Sequence, residues 1–303
     1  MRVAILAQFP IHTLPEFREL GEPKRHYATW LPQLVRGFAE AKDIELHWVT
    51  LAPEVDTLSS SCFLGQTFHV LPTASQGRAS SLFRADRAAI GKMLDKISPD
   101  LVHGWGNEDV YGLAAVTSGR HNIVSVQGLL SHYILKNRLP ARTYLQALIE
   151  IFVLNRADQL ICESLWACDM TKRRLLRRGK EIFHIEYGVQ ECFFEAKWQP
   201  DGAKPVAAFA GAVEPRKGIQ DAVRAFSDPR LAHAELWVIG SDESRFAESL
   251  KRTATPNVKW CGRLPLEQSV DRLRRAWCFV LPTRGDTGPM AVKEAMVIGI
   301  PVI

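Results

Sequence analysis

The sequence lacks the features that mark several large classes of protein. It has no C-x-x-C pair among its six cysteines, which are Cys62, Cys162, Cys168, Cys192, Cys261 and Cys278. Cysteines scattered among apolar neighbours are typical of reduced core residues in a cytosolic protein, and they indicate neither a disulfide framework nor a zinc site. The N-terminal apolar run is too short for a signal peptide, and no stretch approaches the length of a membrane span. These absences predict a cytoplasmic protein.

Three ligand-binding signatures are missing as well. The strongly basic charge of many nucleic-acid-binding proteins is absent, since a formal net charge of +5 permits anionic ligands or an anionic membrane without demanding nucleic acid. The first strand is followed by QFPIH instead of the G-x-G-x-x-G of a dinucleotide-binding dehydrogenase. No D-x-D motif occurs, since Asp242 is followed by Glu243 and Asp56 stands alone. The sequence therefore predicts no metal and no other cofactor.

Apolar runs of strand length alternate with segments of helical periodicity along the whole chain. The strand candidates in the first part are 3–9, 45–51, 62–71, 101–105, 122–127, 158–162 and 182–186. Such alternation predicts an α/β fold with parallel, doubly wound sheets. The polar, turn-rich stretch 198–204 is a predicted linker between residues 1–197 and residues 205–303, where the same rhythm restarts. We expect two Rossmann-like domains.

Residues 281–303, LPTRGDTGPMAVKEAMVIGIPVI, place a glycine-bearing loop between a strand and a helix that begins near Pro289. A helix N-terminus after such a loop offers backbone N–H groups and a positive dipole end to a diphosphate. Asp286 in the loop and Glu294 on the helix can accept hydrogen bonds from paired sugar hydroxyls. The alternative is an ordinary Rossmann-type unit whose acidic residues are only solvated.

A second loop, AGAVEPRKG at 210–218, carries adjacent cations between a strand and a helix. Because ligands collect at the carboxyl ends of strands in an open α/β sheet, this loop and the Asp286 loop should open on the same edge. Arg216 and Lys217 can hold a diphosphate and stabilise the charge that grows on it as a glycosidic bond breaks. Taken alone, the pair is more typical of a solvated surface loop, and the neighbouring Asp286 loop is what favours a ligand site.

The motifs of the second part occur in a fixed order, and they are Gly211-x4-Arg216-Lys217-Gly218, Val238-Ile239-Gly240, Val258-x3-Gly262 and Asp286-x7-Glu294 within 281–303. In this combination they resemble the retaining GT-B glycosyltransferases of the GT4 group. The first part agrees more loosely, at 99–103, 125–128 and 187–194. The resemblance implies transfer of a sugar from a nucleotide-sugar donor to a glycan or lipid-linked acceptor. It also implies two domains facing across a cleft, with the donor mainly on the second.

The resemblance further implies roles for single residues. Glu294 matches the glutamate that holds the ribose hydroxyls, and Asp286 stands near the donor sugar in place of a longer glutamate. Lys217 matches a phosphate-binding lysine. The other donor-binding candidates are Gly211, Arg216, Thr287, Gly288, Pro289 and Met290, and those expected to act on the reaction itself are Asp286, Glu294, Arg216 and Lys217. Ala212 replaces a common arginine, and whether Arg216 substitutes for it is open.

On the acceptor side the candidates are Gln127, His132 and His103. Gln127 occupies a strand-end position that is often histidine in the family, and its amide can hydrogen-bond a sugar but cannot act as an acid or base near neutral pH. His103 is expected at a strand end, where it either contacts the acceptor or simply packs. Retaining members react on one face of the sugar, and the leaving diphosphate assists deprotonation, so the resemblance requires no protein base.

Further expectations concern the surroundings of this site. The basic segment 172–180 either rests on an anionic membrane or places cations at a helix C-terminus. The family pattern continues beyond Ile303, so the second domain is expected to be incomplete. An epimerase acting on nucleotide sugars and a catalytically silent nucleotide-sugar-binding protein remain as alternatives.

Overall fold

The structure, a computed structural model, describes residues 1–20, 30–74, 78–134, 141–176, 179–200, 202 and 204–303. The chain divides into two compact units, Met1–Gly188 and Val189–Ile303. Each unit is an α/β sheet with helices, as the alternating pattern predicts.

The first unit contains an eight-stranded sheet in the order β3-β4-β2-β1-β5-β6-β7-β8. All neighbouring strands are parallel except β3 and β4. The strands are β1 Arg2–Leu6, β2 Glu45–Ala52, β3 Ser59–Phe63, β4 Gln66–Pro72, β5 Leu101–Trp105, β6 Asn122–Val126, β7 Gln159–Cys162 and β8 Ile182–His184.

The one predicted strand at 62–71 is wrong, because the structure has an antiparallel hairpin, β3 and β4, across this region. The two strands meet at Leu64 and Gly65, whose φ angles of 50° and 75° are left-handed. Two consecutive left-handed residues form the tight turn that matches the twist of paired strands. The sequence analysis did not predict this turn because apolar Leu64 occupies a position that is usually polar in such turns.

Helices cover the sheet of the first unit and bury their apolar sides against it. They are α1 Trp30–Phe38, α2 Arg84–Ile97, α3 Val110–Thr117, α4 Leu130–Tyr133, α5 Ala141–Arg156 and α6 Leu165–Lys172. Helix α2 buries Ile90, Met93, Leu94 and Ile97, which recur at helical spacing in the sequence. The core of this unit therefore lies between the sheet and its helices.

The second unit contains a parallel four-stranded sheet in the order β11-β10-β9-β12. Phe209 and Phe279, on adjacent strands, are fully buried in its core. Its elements are α7 Glu191–Glu195, β9 Val206–Ala210, α8 Ile219–Phe226, β10 Glu235–Ile239, α9 Arg245–Thr253, β11 Val258–Gly262, α10 Leu266–Arg274, β12 Cys278–Phe279 and α11 Met290–Ile298.

The boundary between the units lies at Gly188, earlier than the predicted end of the first domain at residue 197. Phe193 of α7 is buried in the core of the second unit. Trp198, which opens the predicted linker, donates its indole N–H to the carbonyl of Ala276 at 2.7 Å. The residues around the expected linker therefore pack on the second unit, because their aromatic side chains outweigh the turn-forming residues that follow them.

All six cysteines are free thiols. Cys162 and Cys168 are buried, whereas Cys62 on β3 is exposed. The expectation that the cysteines are core residues is therefore wrong for Cys62.

Candidate functional site

The two motif loops of the second unit leave the same edge of its sheet. Strands β9 and β12 are parallel neighbours, with Ala207 paired to Cys278 and Ala208 to Phe279. The loop that carries Arg216 and Lys217 follows β9, and the loop that carries Asp286 follows β12. This shared carboxyl edge is where open α/β sheets collect their ligands.

The two loops touch through their backbones at Gly218. A Cβ atom on this glycine would lie 1.8 Å from the carbonyl oxygen of Pro282, and its φ of 73° is left-handed. Nearby, the backbone N–H of Arg284 donates to the carbonyl of Arg216 at 2.9 Å. Only glycine permits so close an approach, so Gly218 fixes the distance between the two loops.

Charged side chains join the loops a second time. The Lys217 ammonium forms an ion pair with the carboxylate of Asp286, and both side chains are mostly buried. The guanidinium of Arg216 donates to the carbonyl of Gly285 at 3.0 Å and lies 3.7 Å from the same Asp286 oxygen. Asp286 therefore faces two cations, and Arg216 supplies positive charge to this loop although Ala212 carries none.

Glu294 lies one turn into α11, the helix that begins where the Asp286 loop ends. Burial raises the pKa of its carboxyl to about 7, because desolvation disfavours the charged form. Within the described ranges no hydrogen bond reaches this carboxyl. Both of its oxygens are thus available to accept hydrogen bonds from two adjacent hydroxyl groups.

The loop between Asp286 and Glu294 forms the start of α11. Thr287 is buried, Gly288 follows it, and Pro289 precedes the first helical residue, Met290. The backbone N–H groups of Val292 and Lys293 donate to the Pro289 carbonyl at 3.0 and 3.4 Å. The predicted start of this helix is confirmed. The positive end of the helix dipole lies beside the loop that carries Arg216 and Lys217.

His103 lies inside β5, with two residues of the strand after it, and not at the strand end where the sequence analysis put it. Its Nε2 is 2.8 Å from the Ser125 hydroxyl of β6, and its ring packs on Trp105 with 4.9 Å between centroids. Burial lowers the pKa of its imidazole to about 4, so the ring is neutral near pH 7. Of the two expectations for His103, contact with the acceptor or packing within the sheet, these contacts fit packing.

Gln127 does lie at a strand end, directly after β6. Its backbone N–H donates to the side chain of Asn107 at 3.1 Å, and the same side chain donates to the carbonyl of Gly128 at 2.8 Å. Asn107 therefore ties the loop after β5 to the loop after β6. His132 is on α4, where its ring stands perpendicular to the ring of Trp166 with 5.4 Å between the centroids.

Sequence reasoning missed two acids in the loop after β5. Burial, reinforced by the neighbouring charge of Asp109, raises the pKa of Glu108, and burial also raises that of Asp109. Asp109 accepts from the backbone N–H of Tyr111 at 3.2 Å and caps α3. In the sequence, the signal for this pair is two adjacent acids shortly after a predicted strand, the second of them at the N-cap of the next helix.

The basic segment at 172–180 is partly engaged within its own unit. Arg173 pairs with Asp169 at 2.8 Å, and Arg174 donates to the Ser131 hydroxyl at 2.5 Å. Lys180 donates to the carbonyls of Leu154 and Asn155 at the end of α5. The predicted cations Arg177 and Arg178 lie outside the described residues.

Metal ligation and membrane spanning find no support in the part of the chain that the structure describes. No three His, Cys, Asp or Glu side chains there are grouped to hold a metal ion, and Asp242 pairs with Lys251 at 2.5 Å. Nor does any described helix have the length and apolar character to cross a bilayer.

Comparison with known sequences finds a family match in the second unit. Residues 192–303 match the profile of the family described as Glycosyl transferases group 1. The GDP-mannose-dependent monoacylated alpha-(1-6)-phosphatidylinositol monomannoside mannosyltransferase of Corynebacterium glutamicum is 33% identical over 111 residues. That stretch takes in 33% of this chain and 29% of the relative, so less than a third of the relative's length is matched.

Solved structures show the fold. Sucrose-phosphate synthase from Thermosynechococcus elongatus is similar with a TM-score of 0.74 at 15% identity, over 100% of this chain and 80% of its own. Anabaena HepE in complex with UDP-glucose is similar with a TM-score of 0.63 at 13% identity, over 100% and 79%. The chain therefore has the GT-B fold of these neighbours, and residues 192–303 match the glycosyl transferases group 1 profile.

Proposed function

We propose that this chain is a retaining glycosyltransferase that moves a sugar from a nucleotide-sugar donor to a glycan or lipid-linked acceptor without a metal ion. The observation that carries the proposal is the ion pair of Lys217 with Asp286, formed where the two family motifs meet beside the start of α11. Cations, an acid and a helix N-terminus at one sheet edge match the phosphates and hydroxyls of a sugar nucleotide.

The cations act on the leaving group. When the bond between the anomeric carbon and the phosphate oxygen breaks, negative charge grows on the diphosphate. Lys217, Arg216 and the N-terminus of α11 would stabilise that charge, and they are held in place before the reaction by the contacts of both loops. The acceptor oxygen then bonds to the anomeric carbon on the same face, and its proton passes to the departing phosphate oxygen.

The carboxylates act on the hydroxyls. Glu294, without a hydrogen bond from any described residue, would accept from both ribose hydroxyls. Asp286 would accept from the donor sugar once the diphosphate takes its place at Lys217. Gly211 would let the backbone approach the phosphates, since its φ of 147° excludes most side chains. Thr287, Gly288 and Met290 would line the same edge.

Proteins similar to this chain support the assignment of the donor. The curated relative is named as GDP-mannose-dependent, and Anabaena HepE was solved with UDP-glucose. GDP-mannose and UDP-glucose are both sugar nucleotides, so we assign this chemical class to the donor. The acceptor side is assigned to the first unit, where Gln127 lies at a strand end with its backbone fixed by Asn107.

The test is a transfer reaction. A thermal-shift screen over nucleoside diphosphates and nucleotide sugars selects the donor, since a bound ligand raises the melting temperature. Proton NMR then follows the reaction with sugar and glycolipid acceptors in the presence of EDTA. The proposal expects a product with the anomeric configuration of the donor. An inverted product contradicts the retaining assignment, an epimerised donor formed without acceptor indicates an epimerase, and a melting shift without turnover indicates a silent binding protein.

A further inference from the structure

Helix α5 is apolar on the side that faces solvent as well as on the side that faces the core. Its inner side buries Ala147, Ile149, Val153 and Leu154. On the outer side Tyr144, Leu148 and Phe152 recur every four residues and are 44%, 65% and 49% exposed. That spacing aligns them in one stripe. A helix that is apolar all round is normally covered, so this stripe calls for an occupant.

A fourth apolar side chain extends the stripe at its C-terminal end. The backbone N–H of Leu176 donates to the side chain of Asn155 at 2.6 Å, which places this residue beside the last turn of α5. Its side chain is 84% exposed. We call Tyr144, Leu148, Phe152 and Leu176 the α5 stripe.

The charge around the α5 stripe is positive. Arg142 and Arg156 are exposed near the two ends of the helix, and neither forms an ion pair with a described residue. Exposed Lys172 ends the neighbouring helix α6. The single acid of α5, Glu150, is fully buried and accepts from the backbone of Leu130 and Ser131, so it does not oppose an anionic partner.

We propose that the α5 stripe docks on an anionic lipid bilayer, with α5 lying in the plane of the headgroups and Arg142 and Arg156 reaching the lipid phosphates. Apolar side chains rimmed by cations are the composition of interfacial helices. At about 1.5 Å per residue the helix extends roughly 24 Å, which suits lying on a bilayer and falls short of spanning one. A lipid surface would bring the enzyme to an acceptor carried by the membrane.

A second copy of the chain fits this surface less well. Two α5 helices packed in either direction would bring arginines of the two copies together at their ends, because both ends carry one. Like charges that meet in this way oppose association. Lipid phosphates, in contrast, neutralise both arginines.

Co-sedimentation with vesicles tests the proposal without donor or acceptor. The full chain is mixed with vesicles of phosphatidylcholine alone and with vesicles of phosphatidylcholine and phosphatidylglycerol in equal parts. We expect binding to the anionic vesicles. The double variant Leu148→Gln with Phe152→Gln should bind the anionic vesicles at least about tenfold more weakly than the parent, because it removes apolar area that enters the bilayer.

Two matched variants complete the design. Arg142→Gln with Arg156→Gln should lower binding to anionic vesicles by about fivefold per charge and reduce its dependence on salt. Leu58→Gln with Leu266→Gln replaces two leucines that are equally exposed, at 44% each, and lie outside α5, so it should bind as the parent does. Circular dichroism and melting curves confirm that each variant is folded.

Three results would overturn the proposal. They are a parent chain that ignores anionic vesicles, a Leu148→Gln/Phe152→Gln variant that binds as well as the parent, and light scattering that shows a dimer which this variant dissociates. Transfer to a water-soluble acceptor should be unchanged in the variant, so a failure of membrane binding is distinct from a failure of the proposed activity.

Discussion

Lys217 and Asp286 form an ion pair although 69 residues separate them in the chain. Each belongs to a different sequence motif, and each motif alone is compatible with a solvated loop. Their contact at the carboxyl edge of β9 and β12 brings the two motifs, each of which is weak evidence alone, into one charged site.

Replacing Lys217 with alanine should abolish most of the transfer activity. The substitution removes a cation from the leaving diphosphate, and the loss of one such stabilising group typically costs about 10²–10³-fold in kcat. Lys204→Ala is the matched control, because Lys204 also pairs with an acid, Glu235, at 3.1 Å in the same unit. Steady-state kinetics would measure kcat for both variants. Equal kcat values would show that Lys217 does not stabilise the leaving diphosphate.

Asp286→Glu tests the reach of the acid near the donor sugar. The longer side chain restores the residue that the family resemblance expects at this position, with its charge unchanged. We expect the ratio of kcat/KM among nucleotide sugars that differ in a single hydroxyl to change, while binding of the bare nucleoside diphosphate changes little. An unchanged ratio would place Asp286 away from the sugar.

Gly218→Ala should destabilise the second unit. The added methyl group would meet the Pro282 carbonyl at 1.8 Å, and alanine is strained at a φ of 73°. We expect a loss of about 1–3 kcal/mol in the free energy of unfolding, together with weaker donor binding as the loops move apart. Gly37→Ala is the control, since a Cβ there meets no atom within 4 Å. If chemical denaturation showed that both variants have the same free energy of unfolding as the parent, the close approach of Gly218 to the Pro282 carbonyl would be contradicted.

The raised pKa of Glu294 predicts how the stability of the fold depends on pH. Burial raises the pKa of its carboxyl to about 7 from an ordinary value of 4.5, so the folded state holds a proton that the unfolded chain releases first. Its contribution to stability is fully present below about pH 4.5 and is lost as the pH rises through 7.

Glu294→Gln removes this dependence. The variant should gain on the order of 1–3 kcal/mol relative to the parent between pH 5 and pH 8, measured by denaturation at both values. It should also bind the nucleotide more weakly, because an amide offers one acceptor oxygen in place of two. A constant difference between variant and parent across this pH range would show that the carboxyl is not desolvated.

The elements nearest the site could be predicted from the sequence because their local signals agree. Helix α11 starts after Pro289 and ends at Gly299, whose φ of 92° is the left-handed cap expected of a glycine there. The hairpin of β3 and β4 could not be predicted, since an apolar Leu64 occupies a turn position that is usually polar. The boundary at Gly188 depends on where Phe193 and Trp198 pack, which is a tertiary contact without a local signature.

The acceptor-side residues were harder to predict for the same reason. The side chain of His103 lies against Ser125 on the next strand, and only the sheet register brings these two together. Glu108 owes its raised pKa to burial and to Asp109, so its chemistry becomes visible only when the fold is known.

The most direct measurement is isothermal titration of the nucleoside diphosphate that the melting screen selects into the parent, Lys217→Ala and Lys204→Ala. The account predicts that the parent and Lys204→Ala bind with equal affinity and that Lys217→Ala binds about tenfold or more weakly, since it loses a charge-assisted contact to phosphate. Equal affinity in all three proteins, or heat from none of them with any nucleotide, would contradict it.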